Sequence, residues 1–236
     1  MAFAAVLGAA PVSLALAGAQ NYEPLSASVQ SQMSRAISDR AAARLVFDDP
    51  AEGYRWLLDM SQRLERRIPD HRARVDLLKS IHYEAKRAGL DPEIVLGLIQ
   101  VESGFKKYAV SSASARGLMQ VMPFWVGLIG EKEHNLFHLR TNLRYGCTIL
   151  RHYLDIEKGD LFRALGRYNG SLGRAEYPNM VMAAARLWQF SVPKESPKTA
   201  SAAPVAVQRA APAPPRTSTP AEEIVIVRSS AASARE

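Results

Sequence analysis

At 236 residues the chain is long enough for one domain with a real core plus extensions, and too short for two large ones; 47% apolar and 22% charged residues mark it as globular. Lys and Arg outnumber Asp and Glu by 30 to 23, and the resulting +7 favours a polyanionic partner, whether nucleic acid, anionic lipid or an acidic cell-wall polymer. No dense Lys/Arg run is interleaved with aromatics, which argues against nucleic acid. The single cysteine, Cys147, excludes an intrachain disulfide and lies in a helical pattern as a small core residue.

Residues 1–19, MAFAAVLGAAPVSLALAGA, are uncharged and end in small residues with an A-x-A pattern, which predicts a secretory signal peptide and hence a periplasmic protein. The basic residue that normally opens such a signal is missing. No other segment is apolar enough to span a bilayer.

From Ser26 to about Phe47 the pattern is Ala- and Arg-rich with sparse apolar positions and predicts a surface helix. Asp49, Pro50 and Glu52 form a helix start, with the helix running to Pro69 and Tyr54, Leu57, Leu58 and Leu64 as its inward face. A third helix is expected from about Arg72 to Ala88, closed by Gly89. The first two of these helices and the start of the third make up an N-terminal extension over 20–79.

The next helix is the centre of the chain. Asp91 is its N-cap, Pro92 its first residue, and Gly104 lies just past its end. Helical spacing puts Val95, Leu98, Ile99 and Glu102 on one face, so a carboxylate ends an apolar stripe. Burial of an unpaired carboxylate raises its pKa, as a general acid requires; the plainer reading is a Glu that reaches water from the last turn.

Residues 105–116 read as a loop, and Pro123 starts a short helix to Gly130. Further helices are expected over Asn142–Glu157, Leu161–Tyr168 and Pro178–Phe190, the last using Met180, Val181, Ala184, Leu187 and Trp188. No strand alternation is evident in the core, so the fold class is all-α. After Pro193 the composition shifts to Ala, Pro, Ser and Thr, and a disordered tail over 191–236 is expected, with EEIVIVR at 222–228 an isolated apolar patch.

Three sequence patterns stand in order: Glu102-Ser103; Ser111 followed by Ala115-Arg116-Gly117-Leu118-Met119-Gln120-Val121-Met122-Pro123; and Tyr168-Asn169-Gly170-Ser171, with Asn142 and Gly146 between the last two. Together they resemble the lytic transglycosylase domain of the soluble (SLT, family 1) type, whose helical fold is related to goose-type lysozyme, over about residues 80–190. The resemblance implies Glu102 as the sole catalytic acid and base. It also implies Ser111, Gln120 and Met122 along a sugar-binding groove, Tyr168 bonded near Glu102, and Asn169 supporting that turn. Ser112 and Ser114 depart from the Pro and Gly that many members carry there.

Glycoside cleavage commonly uses two carboxylates. Glu93 lies about 13 Å back along the same helix at 1.5 Å per residue, and Glu131, Glu133, Asp155, Glu157 and Asp160 sit in polar contexts. A single-carboxylate reaction suits this sequence, and the resemblance implies that it acts on peptidoglycan and gives 1,6-anhydromuramoyl ends. No cofactor is implied. His134 and His138 are spaced as metal ligands could be, but no third ligand accompanies them, and no metal is expected. A monomer acting on glycan strands is anticipated, with a cell-envelope complex as a further partner. The alternatives are a hydrolytic muramidase and a non-catalytic wall-binding or assembly module.

Overall fold

The computed structural model describes residues 20–191. The expected signal segment at 1–19 and nearly all of the expected tail, from 192 on, lie outside the described residues.

Among the described residues there are eight α-helices and no strand, as the all-α expectation required: α1 Ala27–Ser38, α2 Pro50–Leu64, α3 His71–Arg87, α4 Pro92–Glu102, α5 Phe124–Ile129, α6 Leu139–Ile156, α7 Leu161–Tyr168 and α8 Glu176–Arg186. Local chemistry sets most of the starts. Ser26, Asp49, Asp70, Asp91 and Asp160 each accept a first-turn backbone N–H at a helix N-terminus. Proline follows the cap in α2 and α4, where its missing N–H leaves no helical bond unmade.

The helix α4 is apolar nearly all round, with Val95, Leu96, Leu98 and Ile99 fully buried, and such a helix is stable only inside a bundle. It packs chiefly on α8, with α3 on another side; α6 packs on α1, α3 and α7, and α7 packs on α8. The helices of the N-terminal extension therefore belong to the same compact unit as those that follow.

The approach of α4 to α8 is close because Gly97 lacks a side chain. A Cβ there would lie 2.6 Å from the backbone nitrogen of Ala185 and 2.8 Å from its Cα, neither of which can rotate away. Replacing Gly97 by Ala should therefore destabilise the domain by about 2–3 kcal/mol, seen as a lower urea midpoint at unchanged slope.

Three sequence expectations are corrected. The first helix stops at Ser38 rather than near Phe47, because Asp39 turns its carboxylate onto the N–H of Ala41 at 2.9 Å and arginines from α3 and α6 take the carbonyls of Ala36, Ile37 and Ala41. In α2, Tyr54 and Leu58 are 74% and 60% exposed, and the inner face is Trp56, Met60 and Leu64. Trp56 sets that rotation by packing edge-on against His82 and donating its indole N–H to Glu93 at 2.9 Å. In α8 and the turn after it, Met180 and Leu187 face solvent, while Tyr177, Val181, Ala184, Ala185 and Trp188 face inward.

A buried charge cluster ties the extension to the rest. Glu84 of α3 is fully buried and accepts from Arg87 Nε at 2.8 Å, Arg140 Nη2 at 2.9 Å and Arg144 Nη2 at 3.3 Å. The same three guanidinium groups donate to the carbonyls at and just beyond the end of α1, which removes unsatisfied acceptors and places cations at its negative pole.

Candidate active site

The last turn of α4 places Glu102 inside the molecule at 6% exposure. Gly104, at φ +56°, stops the helix, and Phe105 follows at φ +67°, unusual for an aromatic residue, with its ring edge-on to Trp188 at 5.4 Å. Ser103 donates its hydroxyl to Leu118 O at 2.8 Å, fastening the end of α4 to the Gly117–Met122 segment.

That segment is shaped by α6. Asn142, at the end of the first turn of α6, accepts from Met119 N at 2.8 Å and donates to Arg116 O at 2.8 Å and Leu136 O at 2.9 Å. Gly117 sits at φ +77°, where a Cβ would fall 2.4 Å from the Asn142 amide nitrogen. A Cβ on Gly146 would fall 2.3 Å from the Met119 sulfur. Asn142 and Gly146, four residues apart on one helical face, thus form the seat for the Met119 turn.

Gln120 is buried at φ +47°, and its amide nitrogen donates to Ala109 O at 3.1 Å and Gly117 O at 2.9 Å. These bonds hold a non-glycine residue in the left-handed region. The Ser111 hydroxyl accepts from Ala115 N at 3.1 Å and closes the 111–115 turn. The side chains of Gln120 and Ser111 thus build the loop. Met122 is half-buried, packed against the core.

Tyr168 corrects the sequence reading. Its hydroxyl donates to Met119 O at 2.8 Å and not to Glu102. The residue bonded to Glu102 is Tyr177 of α8, whose hydroxyl donates to Glu102 Oε1 at 2.5 Å. Nothing in the local pattern of α8 separates Tyr177 from any other buried tyrosine; its role follows only from the packing of α8 on α4.

Burial pushes the Glu102 carboxyl up to about 8, against a partial opposing effect from the Tyr177 hydrogen bond. Glu102 is therefore protonated at neutral pH. Burial and the neighbouring Glu102 hold the phenols of Tyr177 and Tyr168 well above their usual range, so Tyr177 remains a donor. With Oε1 accepting from Tyr177, the acidic proton belongs on Oε2, a buried atom with no protein partner. Asn169 at the end of α7 gives Nδ2 to Ser171 Oγ at 3.2 Å and leaves its Oδ1 buried and unpaired. Unmade hydrogen bonds at two buried oxygens are each worth about 1–3 kcal/mol, and such groups concentrate where a ligand completes them.

Changing Tyr177 to Phe should lower kcat about 10- to 100-fold with KM little moved, and shift the alkaline limb of the pH–rate profile upward, because the lost bond favours the ionised carboxyl. A merely structural tyrosine would leave the limb in place.

The other carboxylates considered from the sequence are engaged elsewhere. Glu157 pairs with Arg163 and Arg167, Asp155 with Arg151, Glu93 with Trp56, and Asp160 caps α7. Glu131 is largely exposed and lies 3.9 Å from His134. His134 Nδ1 is bonded to the Tyr145 hydroxyl at 2.8 Å, and His138 precedes α6 as its N-cap. Among the described residues no group of three or more His, Cys, Asp or Glu could hold a metal ion.

Comparison with known proteins agrees with this arrangement. The transglycosylase SLT domain family matches residues 79–181. The chain is 56% identical over 43 residues to the membrane-bound lytic murein transglycosylase C of Actinobacillus pleuropneumoniae, covering 18% of this chain and 12% of the relative. It is 48% identical over 50 residues to the protein of that name from Haemophilus influenzae, and 44% over 50 residues to that of Mannheimia succiniciproducens, each covering 21% of this chain and 14% of the relative. The matched stretch is thus a small part of these longer relatives. No solved structure matches the chain significantly. The central helix with Glu102, the Met119 turn seated on α6 and the tyrosine pair all lie inside residues 79–181, the span that matches the transglycosylase SLT domain.

Proposed function

We propose that the protein is a peptidoglycan lytic transglycosylase that cleaves the β-1,4 bond from N-acetylmuramic acid to N-acetylglucosamine, with Glu102 as its only acid and base. The carrying observation is the Glu102 carboxyl, buried, neutral at pH 7 and with Oε2 unpaired beside the Met119 turn. Its proton goes to the glycosidic oxygen as the C1–O bond breaks, and the substrate's acetamido group steadies the oxocarbenium-like centre. The resulting carboxylate removes the proton of the muramoyl C6 hydroxyl, whose oxygen closes onto C1. No water is consumed, and Glu102 ends as it began.

Tyr177 orients Glu102 through Oε1 and stabilises its ionised form midway through the cycle. Asn169 offers Oδ1 to a sugar hydroxyl or N–H. Ser111, Gln120 and Met122 shape the groove wall, Gln120 and Met122 presenting backbone groups to the glycan. Tyr168 holds Met119 in place. The net charge of +7 suits an anionic wall, and an envelope location follows from the relatives' names. No described helix is long and apolar enough to cross a membrane.

Digestion of purified sacculi followed by mass spectrometry of the soluble products tests this directly. Anhydromuramoyl ends, absent with Glu102→Gln, are expected. Reducing ends would show hydrolysis instead, and sacculi bound without release would show a wall-binding module.

A further inference from the structure

The Gly117–Met122 segment has an outward edge that the chain itself covers. Val121 pairs inward with Arg116, donating at 3.0 Å and accepting at 2.9 Å. Backbone groups alternate along an extended segment, so Gln120 C=O and Met122 N–H face the other way, as one acceptor and one donor two residues apart. The side chain of Gln20 fills this pair: its Nε2 donates to Gln120 O at 3.0 Å and its Oε1 accepts from Met122 N at 3.0 Å. Gln20 is 4% exposed, far below what a solvated glutamine shows.

The rest of the segment is fastened along the same wall. Tyr22 lies edge-on to Phe124 at 5.7 Å, and Glu23 pairs with Arg167 of α7 at 3.2 Å. Asn21 and Glu23 line a small cavity together with Tyr153, Arg167 and Gly170, just past Asn169. Residues 20–23 thus run from the Gln120–Met122 edge to the end of α7, over two parts of the motif set that the proposed function assigns to the glycan.

The Gln20 carboxamide meets both backbone groups because one of its N–H hydrogens lies on the same side as its oxygen. The trans amide of an N-acetylhexosamine carries its oxygen and N–H on opposite sides and meets one of them at a time, its oxygen on Met122 N–H or its N–H on Gln120 O, and neither contact can form while Gln20 is in place. We propose that residues 20–23 are a strap that closes the glycan groove by inserting the Gln20 carboxamide where a substrate acetamido group binds, and that the strap must lift for the glycan to enter. This rests on reading the groove as a glycan site. Two neutral hydrogen bonds plus partial burial hold the closed form at roughly 10:1, a bias that ligand binding reverses and that lowers apparent affinity by the same factor.

The test is calorimetric titration of the full-length chain with the N-acetylglucosamine tetramer, which carries the acetamido groups but no muramoyl C6 step, for the unaltered protein, Gln20→Ala and Gln20→Glu. Glu is close to isosteric but sets a carboxylate oxygen against the Gln120 carbonyl, so it should release the strap as Ala does. Affinity about tenfold tighter in both variants, with KM on sacculi falling and kcat unchanged, is the expected result. Equal or weaker affinity in both variants would overturn the strap while leaving the groove intact as a glycan site. Tetramer binding by none of the three proteins would overturn the groove reading and the strap with it.

Discussion

Replacing Glu102 by Gln should reduce release of anhydromuramoyl products by about 10²- to 10⁴-fold, leave sacculus binding in place, and make the protein more stable at alkaline pH. The stability effect follows from the direction of the pKa shift. Burial raises the carboxyl from 4.5 to about 8, so between those values the folded state holds a proton that the unfolded chain has released. Stability therefore falls as pH rises through this window, by about 3–5 kcal/mol in total, and is fully present only below about 4.5. Gln has the same shape, still accepts from Tyr177 and never ionises.

The melting temperature of the Gln variant should thus equal that of the unaltered protein below about pH 4.5 and exceed it by about 10 °C at pH 9. The rate profile has the same origin. Proton donation needs the neutral carboxyl, so kcat/KM should fall tenfold per unit above about pH 8. Equal melting curves at all pH values would mean that Glu102 is solvated and ionised, and that the acid is another group.

Replacing Glu84 by Ala is expected to cost about 3–5 kcal/mol of folding stability, the largest loss from any single buried charge among the described residues. Three arginines converge on this fully buried carboxylate, with side chains only 12–29% exposed. Removing the anion leaves three like charges facing one another in a poorly solvated space, and loosens the guanidinium groups that bond the end of α1. Urea unfolding measures the loss. Activity per folded molecule should change little, because Glu102 and Tyr177, the proposed acid and its partner, are carried by α4 and α8 rather than by this junction. The two substitutions should act oppositely: Glu102→Gln is expected to remove activity and add stability at alkaline pH, Glu84→Ala to remove stability and spare activity. Both contrasts follow from burial: a buried carboxyl without a cation destabilises the fold once it ionises, and one paired with three arginines holds it together.

The strap and Tyr177 bear on any assay of this protein. If residues 20–23 close the groove, a preparation that begins downstream of Gln20 should appear more active at low substrate than one that retains it.

Much of this protein is legible locally. Aspartate caps, prolines at first helical positions and the apolar spacing of Val95, Leu98, Ile99 and Glu102 fix where helices start and which face of α4 is buried, because each depends on residues within one or two turns. The order of Glu102-Ser103, the Gly117–Pro123 run and Tyr168-Asn169 marks the domain family for the same reason. The rotation of α2 and α8 was not legible, since both carry apolar residues on more than one face and long-range partners choose between them. Trp56 meeting Glu93 turns α2, and Ala185 meeting Gly97 turns α8. The same packing put Tyr177 on Glu102 and sent Tyr168 to Met119 instead. Sequence alone marked Glu102 as the candidate acid, with the segments around it; tertiary structure decided which tyrosine bonds to Glu102, what seats the Met119 turn and that Gln20 pairs with the Gln120–Met122 edge, because hydrogen bonds between residues 49, 75 and 102 positions apart depend on how helices pack rather than on any local pattern.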